Sequence, residues 1–371
     1  MPNPVQDLVV PEPPPIAVSL EPAQNALESL WLLIDANTKT GLGDWVVRTA
    51  AALTPKEREI NGLVLVGFYY IVIPGQSWSD FPAYLNHLAA RDPVALRDEI
   101  LESYAQIIPP KNDDECPDML PEPPSVDWEA VLESADTYLD FLHEHFGTVN
   151  IDDDLETKAY SYIIDPPAMQ EMIVSHLRNM WDRFLAYEWA QTEPMLRDAV
   201  SAFQQIDFST MSKLEALRLV AGQIPDEKKW AASLEQTEHV IFCPSAHVGP
   251  YLGAFRSRDT LRIFFGARIP NGVQFHAPDL NRAEIAVRLN ALADDTRLRI
   301  LKWISEAGEQ RSQDIMQGLD LSQSAASRHL KQLSATGYLF ERRSGGAKYY
   351  KLNPGRVRDT LQAIATFLLG S

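Results

Sequence analysis

The feature that most constrains the fold lies in residues 280–371, where helical patterns, a tight turn and a glycine hairpin follow one another. Apolar residues at helical spacing predict a first helix over 283–292 and a second helix directly after it. Either Asp294 or Asp295 can cap this second helix. The apolar residues of the second helix are Leu298, Ile300, Leu301 and Ile304. Two consecutive amphipathic helices predict a small helical core at this end of the chain.

A short helix and a longer one are predicted next. Ser312 is placed to cap a short helix that runs through Gln317, and a tight turn is expected at 318–321. Ser322 then caps a helix that runs to about Ala335. The apolar residues of this last helix, spaced four and then three residues apart, are Ala326, Leu330 and Leu333. They are expected to pack against the preceding helices, as in a helix-turn-helix.

The opposite face of the last helix is polar, and no acidic residue interrupts it. Hydroxyl, amide and guanidinium groups on such a face suit base edges and phosphates in a DNA major groove. We expect His329 to donate to a phosphate rather than to a base. The residues predicted to contact DNA from the two helices are Ser312, Gln313, Ser322, Gln323, Ser324, Ser327, Arg328, His329 and Lys331.

A hairpin is predicted after these helices. The segments 338–343 and 347–352 alternate with period two around the turn Ser344-Gly345-Gly346. Arg342, Arg343 and Lys348 would place positive charge at its tip, within reach of phosphates or the minor groove. A helix-turn-helix followed by such a hairpin is a winged helix, and we expect it to bind double-stranded DNA.

Three segments of this part carry further information: residues 291–301 read ALADDTRLRIL, residues 321–324 read LSQS and residues 327–333 read SRHLKQL. Together they resemble the ArsR family of bacterial winged-helix transcriptional repressors. The resemblance implies a homodimer packed through its first and last helices, here about 283–292 and 354–369. It also implies binding to an operator, which an effector relieves.

The chain departs from the metal-sensing members of that family. Those members hold an ion with a cysteine pair before the recognition helix, or with His and carboxylate ligands on the last helix. No cysteine follows Cys243, the sole histidine after His276 is His329, and the last helix offers only Asp359 as a ligand. We therefore expect no metal and no cofactor in this domain.

Charge divides the chain into two parts. Residues 280–371 contain 14 Lys and Arg against 9 Asp and Glu, a net charge of +5. The preceding residues contain 19 basic and 42 acidic side chains, a net charge of −23. Because phosphates repel an acidic surface, DNA is expected to contact only the C-terminal part.

The rest of the chain is predicted to be mostly helical. We expect a disordered proline-rich arm over 1–22, a proline-rich loop or linker over 109–124, and a helical regulatory or dimerisation domain over 23–278 with strands near 239–269. The fold class is mainly α with small β (α+β). This large region loosely resembles an uncharacterised domain of some longer ArsR-type regulators, a resemblance that supplies no ligand.

The large region also contains residue types found in zinc sites, hydrolases and ligand pockets. His239, Cys243 and His247 could contribute to a zinc site, but a buried thiol and two hydrogen-bonded histidines explain them with fewer assumptions. Ser245 beside His247 lacks a nucleophile elbow or a supported triad, so we expect no enzyme. The aromatic residues Trp181, Phe184, Tyr187 and Trp189 fit either ordinary core or the lining of an apolar pocket.

The sequence thus predicts a DNA-binding transcriptional regulator, a dimeric repressor on a palindromic operator. Its acidic domain would dimerise, bind an unidentified small molecule, or both. The alternative is a ligand-binding or scaffolding protein that uses the winged helix for dimerisation only. The N-terminus shows no signal peptide and the longest apolar stretch is too short for a membrane span, so we expect a cytoplasmic protein with no membrane partner.

Overall fold

The computed structural model describes residues 14–108, 118–119, 124–147, 151–222, 227–257, 259–270, 278–344 and 346–369. Helices predominate among these residues and the strands are short, which confirms the predicted α+β class. The chain forms a large body up to residue 270 and a winged helix from residue 278. Within the described ranges, each helix is too short or too polar to cross a membrane.

The helices of the body are α1 (Pro22–Asp35), α2 (Asp44–Ala52), α3 (Pro55–Gly62), α4 (Tyr69–Val72), α5 (Phe81–Ala90), α6 (Pro93–Gln106), α7 (Trp128–Val131), α8 (Ala135–Phe146), α9 (Asp153–Ile163), α10 (Pro166–Met180), α11 (Ala186–Phe203), α12 (Lys213–Ala221) and α13 (Glu227–Glu235). Two π-helical turns, Leu63–Gly67 and Trp181–Leu185, interrupt the longer helical runs. Most of these helices begin where the sequence supplies a cap or a proline in the first turn, as at Thr54 and Asp165.

A four-stranded sheet lies inside the body. Its order is β1 (Ile16–Val18), β4 (His239–Ser245), β6 (Thr260–Gly266) and β5 (Leu252–Ser257), and only β5 runs antiparallel to its neighbour. A separate short pair joins β2 (Ile107–Ile108) to β3 (Asp118–Met119). Cys243 and Phe264 face one helical layer, whereas Phe242 and Ile263 face another. The sheet is therefore buried on both sides, which explains its near-continuous apolar strands.

The predicted arm over 1–22 is wrong for its last part. Ile16 and Val18 are buried in β1, which pairs in parallel with β4, and Pro22 begins α1. Proline content suggested extended chain, but an extended chain is also what a parallel edge strand requires. Residues 1–13, and most of the predicted linker 109–124, lie outside the described residues.

Helices continue beyond the predicted linker. The helical region after the linker is divided into α7 and α8, and Ser134 caps α8 by accepting from the amide of Thr137. The longest helical run of the body begins at Pro166 and continues past a π-helical turn to Phe203. The aromatic residues of this run lie in different surroundings, because Tyr187 is 78% exposed whereas Phe184 and Trp189 pack in separate apolar clusters.

The winged helix contains α14 (Pro278–Leu292), α15 (Asp295–Ala307), β7 (Gln310–Arg311), α16 (Ser312–Leu319), α17 (Gln323–Ala335), β8 (Leu339–Ser344), β9 (Ala347–Leu352) and α18 (Pro354–Leu369). The strands form a sheet in the order β7, β9, β8, all antiparallel. Ile300, Ile304, Ile315, Leu330 and Leu333 share its core. Leu298, predicted for that core, is instead 49% exposed.

Two details of the helix-turn-helix correct the prediction. Ser312 is the first residue of α16, not its cap, and the helix runs past Gln317 to Leu319. Gly318 lies inside α16 because its missing side chain admits the Trp303 ring, which a Cβ would approach to 2.5 Å. The turn is made at Asp320, which adopts a left-handed φ of 52°. Asp tolerates this conformation better than most residues.

Candidate nucleic-acid interface

The helix α17 presents the predicted polar face to solvent. Ala326, Leu330 and Leu333 are fully buried against α15 and α16, which fixes the rotation of α17 about its axis. As a result the polar residues near its N-terminus are exposed: Ser322, Gln323, Ser324, Ser327 and Arg328. The Ser322 hydroxyl caps the helix by accepting from the amide of Ala325 at 3.3 Å. An exposed helix end with these donors has the form of a recognition helix.

One buried arginine braces α17 against its neighbours. Arg297 donates to the backbone oxygens of Asn290 and Ala291, each at 2.7 Å, and to the Gln332 side-chain oxygen at 2.7 Å. These bonds join the end of α14, the first turn of α15 and the last turns of α17. Sequence reasoning placed Arg297 only within a family motif, because its partners lie up to 35 residues away.

Two predicted contacts on α17 are placed less openly. The His329 ring is half-buried, with Nδ1 3.7 Å from a carboxylate oxygen of Asp294. Burial lowers the pKa of His329 more than Asp294 raises it, which favours the neutral ring. Lys331 is exposed, and its Nζ lies 5.8 Å from the centre of the Tyr251 ring on the body. Both residues are therefore turned partly toward protein groups.

The first helix of the helix-turn-helix, α16, exposes fewer of the predicted contact residues than α17. Gln313 is exposed in the first turn of α16, whereas Ser312 beside it is half-buried. The Asp314 carboxylate accepts from the backbone amide of Arg311 at 3.2 Å and so takes the capping role that was expected of Ser312. Of the two predicted residues, Gln313 is the more accessible to a ligand.

The wing is the hairpin of β8 and β9, whose last pair is Ser344 with Ala347. Its positive charge is partly neutralised: Arg342 pairs with Glu309 at 2.5 Å, and Lys348 pairs with Glu341 at 2.7 Å. Arg342 also stacks on Tyr349, with 4.4 Å between the guanidinium and the ring centre. Because exposed ion pairs contribute little to stability, a DNA phosphate can replace the carboxylate partner. Arg343 is exposed beside them.

The body touches α17 near its C-terminal end. Gln332 is buried, and its side-chain oxygen accepts from the Thr40 hydroxyl as well as from Arg297. Gly41, at a φ of 87°, lies so close that a Cβ there would meet Gln332 Nε2 at 2.3 Å. Body and winged helix are thus in direct contact, but at the opposite end of α17 from the exposed polar residues.

The three residues weighed as zinc ligands do not converge. Cys243 is buried in β4, and burial raises the pKa of its thiol well above the ordinary range. The His247 ring stacks on Trp45, and its Nδ1 lies 2.8 Å from the Ser29 hydroxyl. Within the described residues, no group of three His, Cys, Asp or Glu side chains is arranged to hold a metal ion.

The similarity of this chain to known proteins lies in its winged helix. Residues 294–339 match the family model described as bacterial regulatory protein, arsR family. An arsenic resistance transcriptional regulator of Pseudomonas putida is 46% identical over 63 residues, which are 17% of this chain and 49% of that protein. The arsenical resistance operon repressor of Escherichia coli is 44% identical over 63 residues, 17% of this chain and 54% of that protein.

A further relative is matched over more of its length. A cadmium resistance transcriptional regulatory protein CadC homolog from Staphylococcus aureus is 32% identical over 82 residues, 22% of this chain and 68% of that protein. The chain spans about half the length of the two arsenic-related regulators. A solved fragment of a possible transcriptional regulatory protein from Mycobacterium bovis is 27% identical, covers 24% of this chain and 96% of that fragment, and has a TM-score of 0.20.

Proposed function

Because the chain belongs to the ArsR family of bacterial regulatory proteins, we propose that it is a transcriptional repressor that binds DNA as a homodimer. The observation that carries this proposal is the exposed face of α17. Gln323, Ser324, Ser327 and Arg328 all reach solvent on one side, while the apolar side holds the helix in place. Amide, hydroxyl and guanidinium donors on a protruding helix match the base edges of a major groove.

A second copy of the chain is the partner we propose for α18. This helix packs on α14, but Leu361 and Leu368 leave 60% and 70% of their surface exposed, and Phe367 and Leu369 are also exposed. An apolar face of this kind is costly in water and is typical of an interface. Pairing through α14 and α18 places two α17 helices about one helical turn apart, which requires an approximately palindromic operator.

The residues of the interface are assigned two roles. Gln323 and Ser324 read base edges, and Arg328 and the wing residue Arg343 contact phosphates. Lys331, Arg342 and Lys348 add phosphate contacts once DNA displaces their present partners, and Ser312, Gln313, Ser322, Ser327 and His329 line the same surface. The acidic body, by contrast, faces away from DNA and carries the regulatory function, through a small-molecule effector.

The test compares specific and random duplexes. The operator is first obtained as the sequence that the full chain enriches from genomic fragments. Gln323→Ala and Ser324→Ala are expected to reduce the ratio of specific to random affinity by about tenfold, since a good base contact contributes about 1–3 kcal/mol. Arg343→Ala should weaken both duplexes alike and reduce the salt slope by about one.

The matched control is Arg197→Ala, which removes an exposed arginine from α11 in the body. Its affinity and salt slope should equal those of the wild type. Equal losses on specific and random duplexes for all three interface variants would refute the division of roles. If no sequence is enriched at all, the winged helix serves dimerisation only.

A further inference from the structure

A cleft separates the body from the winged helix beside the end of α17. It contains about 690 Å³ of space that protein atoms do not occupy, part of it open to solvent. The ends of β4 and β6 form one wall, and α14 with the first turn of α18 forms the other. Apolar side chains line much of it, among them Met195, Leu252, Phe265 and Val287. Since part of this space is open solvent, the enclosed part of the cleft admits only a small ligand.

Three arginines enter this cleft from different elements. Arg268 follows β6 in the body, Arg288 lies on α14 and Arg356 lies on α18. Burial, followed by the nearby charge of Arg288, lowers the pKa of Arg356 to about 10. Burial also lowers the pKa of Arg268; the nearby Glu284 opposes this effect and Arg288 adds to it. The mutual influence of the three groups shows that their positive charges are close together.

The acidic groups that line the cleft do not balance these cations. Glu284 is the one carboxylate among the described lining residues, and it accepts a hydrogen bond from Nη2 of Arg288. Nε of Arg356 donates to the backbone oxygen of Thr336 at 2.8 Å. The buried Nε groups of Arg268 and Arg288 have no hydrogen-bond partner within the described part of the chain. Buried cationic donors without acceptors are costly, and a bound anion would satisfy them.

We propose that this cleft binds a small organic oxyanion, a molecule with a carboxylate or phosphate group joined to an apolar portion. The planar guanidinium of arginine matches both head groups through paired hydrogen bonds. The anion lies between Arg268, Arg288 and Arg356, and its apolar portion contacts the walls near Phe265 and Val287. The three arginines carry two more charges than the one negative charge of Glu284 can balance, and this net positive charge makes the cleft prefer anions.

Such a ligand contacts the body and the winged helix at once. Arg268 belongs to the body, whereas Arg288 and Arg356 lie on α14 and α18, the two helices through which we propose that the dimer forms. Resting on that proposed function, the bound anion is the effector: it favours one orientation of α14 and α18, and so one spacing of the paired recognition helices. A ligand shifts such an equilibrium only as far as its affinity differs between the two states.

The binding test uses the full chain without DNA. Calorimetric titrations compare benzoate, inorganic phosphate and benzamide, the last being an uncharged analogue of benzoate. We expect at least one anion to bind, and benzamide to bind at least about tenfold more weakly than benzoate, because charge-assisted bonds are the stronger ones. The tighter of the two anions identifies the head group.

Variants then locate the site. The Arg288→Gln variant, and the double variant that adds Arg268→Gln, should bind the tighter anion about tenfold or more weakly. The control Arg299→Gln replaces an exposed arginine on α15 and should leave the affinity unchanged. Glu284→Gln should tighten binding severalfold because it removes the negative charge from the cleft. A gain of affinity cannot result from misfolding.

The proposal is overturned if neither anion binds, if benzoate binds and benzamide binds equally tightly, if the double variant retains wild-type affinity, or if Glu284→Gln weakens binding. Since these titrations contain no DNA, their failure leaves the separate test of DNA binding intact. Conversely, anion binding by a chain that enriches no DNA sequence would support the cleft and refute the repressor.

Discussion

Replacing Arg297 by methionine should loosen the recognition helix while leaving the body unchanged. The side chain makes three hydrogen bonds of 2.7 Å that join α14, α15 and α17. Methionine retains most of the apolar packing but leaves two backbone oxygens and the Gln332 oxygen without this donor. At about 1 kcal/mol for each net hydrogen bond, the local free energy of unfolding should fall by about 3 kcal/mol.

Amide hydrogen exchange measures this loss locally. A decrease of about 3 kcal/mol corresponds to roughly 100-fold faster exchange of the protected amides in α17. The control is Arg299→Met, which alters an exposed arginine two residues along α15 and should change exchange by no more than about twofold. Peptides from α10 in the body should exchange equally in all three proteins.

The same variant should bind its operator more weakly, because α17 would no longer be held in one orientation. If Arg297→Met exchanges in α17 at the rate of Arg299→Met, the three bonds do not hold the recognition helix, and the reasoning from their geometry is refuted.

Three further changes have defined outcomes. Burial raises the pKa of Glu28 from 4.5 to about 7, so the folded protein keeps a proton that the unfolded chain releases, and stability falls as the pH rises across this interval. The free energy of unfolding of Glu28→Gln, measured by chemical denaturation, should therefore exceed that of the wild type by up to about 3 kcal/mol at about pH 8 and by little near pH 4. Gly318→Ala should destabilise the winged helix by about 1–3 kcal/mol through its clash with Trp303, whereas Gly62→Ala, with open space around its Cβ position, should not lower the Tm. Ser322→Ala should lower the free energy of local unfolding of α17 by about 1 kcal/mol, measured by amide exchange. An unchanged exchange rate would show that the cap is dispensable.

The winged helix could be predicted because its signals are local. The apolar spacing of Ala326, Leu330 and Leu333 fixed the buried face of α17, and Ser322 marked its start. Both depend on residues within one or two turns of each other. The turn lies within the predicted range 318–321, but α16 continues through Gly318, which makes room for Trp303, and Asp320 turns the chain.

The remaining features depend on residues that meet only in the folded chain. Nothing near Arg342 in the sequence indicates its pairing with Glu309, which reduces the charge predicted for the wing. The strand β1 could not be predicted, because it is short, follows a proline-rich segment and pairs with β4, which begins more than 200 residues later. The arginines of the cleft come from three separate elements, so no spacing in the sequence brings them together.

The most direct test of base reading by α17 is a selection from randomised duplexes, carried out in parallel with the wild type and with the Gln323→Ala, Ser324→Ala double variant. The wild type should enrich one two-fold symmetric sequence, and the double variant should lose its preference at one pair of symmetry-related positions while the rest of the sequence persists. Recovery of the same sequence, with every position equally preferred by both proteins, would contradict the assignment of α17 as the helix that reads DNA.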